Sequence, residues 1–198
     1  MKLLVVSEGK HELGGSLETL VRRLLPIDVT ITFDDVRGHV PKLHPIKGGF
    51  DYEKKALQWV MLAGQRGYDA IVLLVDEDGQ PERIKGFRRA QERTAPPTPL
   101  PRALGVAVHT FDAWMLADEK ALSDVLSRVI QCQPAPETIR DPKSICEQLR
   151  DVTPDCELKL ADMYKSVAEK TRLEILEQRC PTDFKPFAER VRALATTT

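Results

Sequence analysis

Apolar residues fall in short, separate runs along the chain. KLLVV (Lys2–Val6), AIVLLV (Ala70–Val75) and ALGVAV (Ala103–Val108) are apolar on both alternating faces. Such runs predict strands buried on both sides, as in a parallel sheet. IDVTITF (Ile27–Phe33) alternates apolar and polar residues, predicting a strand nearer a sheet edge. Between these runs the apolar spacing becomes helical. Helices are predicted over Glu12–Leu25, Tyr52–Arg66 and Pro81–Arg93, with Gly14-Gly15 weakening the first and Pro81 suited to a first helical turn. The prolines of PPTPLP (Pro96–Pro101) predict an extended linker.

Alternation of strand and helix implies an α/β fold with a mainly parallel central sheet of about four strands. Beyond Thr110 only helical patterns remain, over Phe111–Arg128, Pro142–Asp151, Glu157–Arg179 and Phe184–Ala195. The expected organisation is an α/β domain over 1–118 and an α-helical extension over 119–198, packed on the core.

In open parallel sheets, ligands bind beyond the carboxyl ends of the strands, and here those ends carry acids. VVSEGKHE places Glu8 after the first strand and Glu12 one helical turn on. LLVDEDG supplies Asp76, Glu77 and Asp78 after the third, and HTFDAW supplies His109 and Asp112 after the fourth. Carboxylates gathered at one edge repel each other and are costly to desolvate. A divalent cation relieves both effects, and hard oxygen ligands suit Mg2+ or Mn2+. On an extended backbone, Asp76 and Asp78 would point one way and Glu77 the other. Any one of these acids alone reads as a turn or helix-capping residue. Their coincidence at separate strand ends favours a metal site.

The strand ending in Glu8-Gly9 and the later strand ending in Asp76-x-Asp78 resemble the signature of TOPRIM domains. Glu8-Gly9-x-x-Glu12 is similar to the pattern of overcoming-lysogenization-defect type nucleases. HTFDAWMLAD (His109–Asp118) resembles a third motif of small bacterial TOPRIM proteins encoded beside ATPases, in which glutamate usually stands at the position of Asp112. Tyr164-Lys165 and Cys180-Pro181-x-x-Phe184 resemble the helical C-terminus of those proteins. The resemblance implies a TOPRIM-like fold and Mg2+-dependent cleavage of nucleic acid, DNA before RNA. Glu8, Asp76 and Asp78 would be the catalytic residues and, with Glu12 and Asp112, the metal ligands. It implies an ATPase partner in a phage-defence system, and a phosphate contact from Lys165.

Arg83, Lys85, Arg88, Arg89 and Arg93 follow the Asp-x-Asp turn on one predicted helix. They form a candidate nucleic-acid-binding face or a solvated helix face. The segment 34–49, rich in glycine and basic residues, is long for a loop without a role. His109 reads as a proton-transfer residue or a hydrogen-bonded core histidine, Ser7 as a helix cap, and Trp114 as core packing.

Composition narrows these readings. The chain has 198 residues, 42% of them hydrophobic, enough for a real core. Its formal net charge is -1, which argues against tight autonomous nucleic-acid binding. A module that docks on a larger partner, or a phosphatase of small substrates, therefore stays open beside the nuclease, as does a homo-oligomer. Neither GxGxxG nor a GKS/GKT lysine motif is present, which argues against dinucleotide binding and ATP hydrolysis. Cys132, Cys146, Cys156 and Cys180 form no CxxC pair, as expected for thiols in a reducing cytoplasm. No apolar run approaches the ~18 residues needed to span a bilayer. A soluble, cytoplasmic protein is expected.

Overall fold

In the computed structural model the described residues are 1–8, 12–26, 28–35, 52–94, 100–152 and 158–196. The segments 36–51 and 95–99 lie outside them, so most of the long segment 34–49 and most of the proline linker do as well. Four strands form: β1 (Lys2–Ser7), β2 (Thr30–Asp35), β3 (Ala70–Asp76) and β4 (Arg102–Ala107). They make one all-parallel sheet in the order β2-β1-β3-β4. This is the α/β architecture expected of a TOPRIM-like fold.

The pleat of the sheet sorts the apolar runs onto two faces. Leu4, Val6, Ile71, Leu73, Val75 and Leu104 pack under α2 (Tyr52–Gln65) and α3 (Glu82–Glu92). Leu3, Val5, Val72, Leu74, Ala103 and Ala107 pack under α1 (Leu17–Leu24) and the C-terminal helices. Burial on both faces is why these strands read as continuous apolar runs. β2 begins at Thr30 rather than Ile27, and Val29 packs against the core ahead of it.

Two long predicted helices are each broken. Phe111–Arg128 divides into α4 (Asp112–Met115) and α5 (Glu119–Leu126). After α6 (Pro142–Asp151), the predicted Glu157–Arg179 divides into α7 (Leu160–Lys170) and α8 (Leu173–Arg179), followed by α9 (Phe184–Leu194). Asp118 is common to both breaks. Its side chain caps α5 by accepting from the Lys120 and Ala121 N–H groups. It also accepts from the backbone N–H and guanidinium of Arg172, which lies between α7 and α8. The first predicted helix also changes character. Glu12–Ser16 is a π-helical turn with Gly15 at φ 105° before α1 begins.

Trp114 is fully buried among Phe111, Phe184 and Phe187, with ring centroids 5.0–5.5 Å apart, as its sequence context predicts. Cys132, Cys146 and Cys180 are free thiols; Cys156 lies outside the described residues. Among the described residues, no helix is long and apolar enough to cross a membrane.

Candidate metal-binding centre

The strand order fixes where a ligand should sit. From β1 the chain runs through α1 to β2 on one side, and from β3 it runs through α3 to β4 on the other. The crevice of such a sheet opens between the carboxyl ends of those two diverging strands. Glu8 follows β1 directly, Asp76 ends β3, and Asp78 lies in the turn beyond. The two acidic motifs of the sequence therefore meet at the topological switch point.

What joins them is Arg83. Its Nη1 donates to Glu8 Oε2 at 2.7 Å and to the Asp76 carbonyl at 2.5 Å, and it lies 3.5 Å from Asp78 Oδ2. Its side chain is 2% exposed, and Glu8 is nearly as buried. The guanidinium carbon lies 5.7 Å from the centre of the Tyr52 ring, and the Tyr52 hydroxyl bonds Gln80 Oε1. Burial pushes the Glu8 carboxyl above its ordinary range, Arg83 opposes that rise, and Asp78 adds to it. The sequence places Arg83 on a basic surface; α3 instead turns it inward. One signal for this was present. The buried positions of α3 are Arg83, Gly86, Phe87 and Ala90, a helical stripe that includes the arginine. Lys85, Arg88 and Arg89 are exposed. Lys85 pairs with Glu82, and Arg88 lines a small cleft with Arg190 of α9.

The remaining acids diverge. β3 ends at Asp76, so the expected alternation does not extend to Asp78, which adopts φ 50°. A non-glycine residue in the left-handed region carries local strain, of a kind concentrated at functional sites. His109 on the adjoining loop has φ 58°. The two loops are tied together: Asp78 N–H donates to the His109 carbonyl, and His109 N–H donates to Glu77 Oε2. Asp76 Oδ1 accepts from the Phe111 N–H at 2.7 Å. Asp112 is buried in α4 and accepts from the Tyr164 hydroxyl. Glu12 lies in the π-turn, and its side chain is outside the described atoms. Lys165 is exposed, and its Cδ lies 3.4 Å from where a Cβ on Gly15 would be. That position sets it beside the turn that follows β1. Ser7 ends β1, fully buried, and its hydroxyl finds no partner among the described residues, so it caps none of the described helices.

The donors at the switch point suit a hard cation. Three oxygens, from Glu8, Asp76 and Asp78, surround a single nitrogen, and that cradle is already shaped around positive charge. It is not a compact ligand cage, because the described strand-end acids bring no three ligand atoms within 4.8 Å of one another. Among the described residues, Glu137, Cys180 and Asp183 do so. That group is structural. The Glu137 carboxylate accepts from the Thr182 and Asp183 N–H groups. Asp183 accepts from Val108 N–H, Trp114 Nε1 and Phe184 N–H. Its oxygens are committed to pinning the end of β4 to the start of α9. Sequence reading missed this pair because each partner is ordinary by itself.

No curated protein and no solved structure matches the chain. A family match covers residues 8–192, from the first acid of the switch point into α9. The chain therefore belongs to the family described as Domain of unknown function (DUF4276).

Proposed function

We propose that this protein is a Mg2+- or Mn2+-dependent enzyme that hydrolyses phosphodiester bonds in nucleic acid, with DNA as the main substrate. The observation that carries this reading is the convergence of Glu8 Oε2, Asp78 Oδ2 and the Asp76 main-chain carbonyl on one cation cradle at the switch point of a parallel sheet. Glu8 and Asp78 would hold the ion through carboxylate oxygens, with the Asp76 main-chain carbonyl completing the set. A bound divalent ion would polarise a phosphate oxygen and favour deprotonation of an attacking water. The exposed Lys85, Arg88, Arg89 and Lys165 would orient the strand by its phosphates. Cytoplasmic action beside an ATPase in phage defence rests on the TOPRIM resemblance of the motifs.

Nicking of supercoiled plasmid and of single-stranded DNA in Mg2+ or Mn2+ tests the proposal. Asp78→Asn should lower cutting by about 100-fold or more, beyond the 10–100-fold typical of an outer partner of a metal site. Equal cutting by wild type and variant would sink it.

One observation favours a second reading, a docking module that works without metal. Arg83 already compensates the acids from within the chain. Titration calorimetry separates the two readings, since a module of that kind takes up no Mg2+ at millimolar concentration.

A further inference from the structure

We propose that Arg83 is a tethered cation that occupies the metal's place, so that a divalent ion enters the Glu8–Asp76–Asp78 cradle only as the guanidinium leaves it. This rests on the metal-dependent reading of that site and adds the step by which the site is loaded. Three observations carry it. Arg83 Nη1 contacts the carboxylate oxygens Glu8 Oε2 and Asp78 Oδ2 and the main-chain carbonyl of Asp76. A second cation at this point would meet a buried guanidinium within a few ångströms, and like charges in such a place repel strongly. Arg83 is also incompletely housed, because its buried Nε finds no acceptor among the described residues. A buried donor left unmatched lowers the cost of moving the group. Tyr52 and Gln80 brace the guanidinium from one side. Asp78 is about half exposed at its side chain and has a left-handed backbone, so among the three contacts of Arg83 this one is open to solvent.

The cradle therefore stays neutralised without metal. Loading exchanges one cation for another rather than filling an empty acidic hole.

Mn2+ binding to the full chain, followed by electron paramagnetic resonance of the free ion, tests this. R83Q removes the charge and should bind Mn2+ roughly tenfold or more tightly than wild type. Its melting temperature should also rise more steeply with added Mn2+. R83K keeps the charge and should stay near wild-type affinity. Y52F keeps the arginine but loosens its brace, and should gain affinity by a smaller factor, roughly two- to threefold. If R83Q fails to fold, Y52F and R83K decide. R83Q or Y52F binding no tighter than wild type, R83K gaining as much as R83Q, or no Mn2+ uptake by any form would each overturn the proposal. Its failure is distinguishable from failure of the nuclease reading. Tight Mn2+ binding by R83Q with no DNA cutting by wild type removes only the nuclease. Metal-dependent cutting with no gain in R83Q removes only the tether.

Discussion

At the scale of single residues, two buried acids, both raised by burial, face opposite neighbours. Glu8 and Arg83 form an ion pair inside the fold. Among the described residues Asp183 forms no ion pair; it faces Glu137 and a set of N–H donors. Burial and the neighbouring carboxyl push the Asp183 carboxyl well above its ordinary range. The folded state therefore holds a proton that the unfolded chain releases near pH 4. With the folded value raised, this contribution to stability is complete below the unfolded value and is lost as pH rises through the folded one. Unfolding free energy from chemical denaturation across pH 4 to 8 should fall with rising pH on this account, with a slope of at most ~1.4 kcal/mol per pH unit from one proton. Asp183→Asn keeps the Oδ1 acceptor for Trp114 and Phe184, gives up the acceptor for the Val108 N–H, and carries no proton to lose. It should flatten that dependence, and an unchanged slope in the variant would refute the assignment. Asp78 belongs to the same scale. Its left-handed backbone is tolerated because Gly79 follows in the same region and the His109 carbonyl accepts its N–H.

At the scale of elements, the strands and the carboxyl-end acids were legible in the sequence, and the breaks in the helices were not. Doubly buried strands have a one-dimensional signature, the unbroken apolar run, and β1, β3 and β4 fall within a residue of their runs. Glu8 and Asp76 were readable because strand ends are readable. Helix boundaries set by tertiary contact have no such signature. Asp118 looks like one more polar residue in a helical pattern until Arg172, 54 positions later, is placed against it. Likewise, nothing near Arg83 announces Glu8, which is 75 positions away. Only its place on the apolar stripe of α3 hinted at burial. Asp118 yields a prediction at this scale. Arg172 and the capped N–H groups hold its carboxyl down to about 2. That stabilisation is present above the ordinary carboxylate range and fades as pH falls toward about 2. Asp118→Ala removes a cap usually worth ~1 kcal/mol and the anchor for Arg172, for a loss of roughly 2–3 kcal/mol at neutral pH. Chemical denaturation should show the loss at pH 7 and little of it near pH 2. A variant as stable as wild type at pH 7 would show that the breaks are set elsewhere.

At the scale of the whole molecule, the helical extension and the sheet share one core. The side of the sheet facing away from α2 and α3 is covered jointly by α1, α7 and α9. The fit over β4 is close. A Cβ on Gly105 would lie 2.6 Å from Phe187 Cδ2, so the α9 phenylalanine rests on bare strand backbone. Tyr164 of α7 reaches the carboxylate of Asp112, and Asp183 holds Val108 at the end of β4. Helices after residue 118 therefore shape the loop that carries the third acidic motif. Residues 1–118 alone would leave Ala103, Ala107, Phe111 and Trp114, each at most 1% exposed in the full chain, facing water. A fragment that exposes so much of one sheet face should lose cooperative folding, because a sheet must bury each apolar face against another layer. The fragment should give a poorly dispersed amide spectrum and no sharp melt, and co-expression with 119–198 should restore both. A dispersed spectrum and a cooperative melt from 1–118 alone would mean that the sheet closes its own core. The C-terminal helices would then be free to serve a partner rather than the fold, which would favour the docking module over the enzyme.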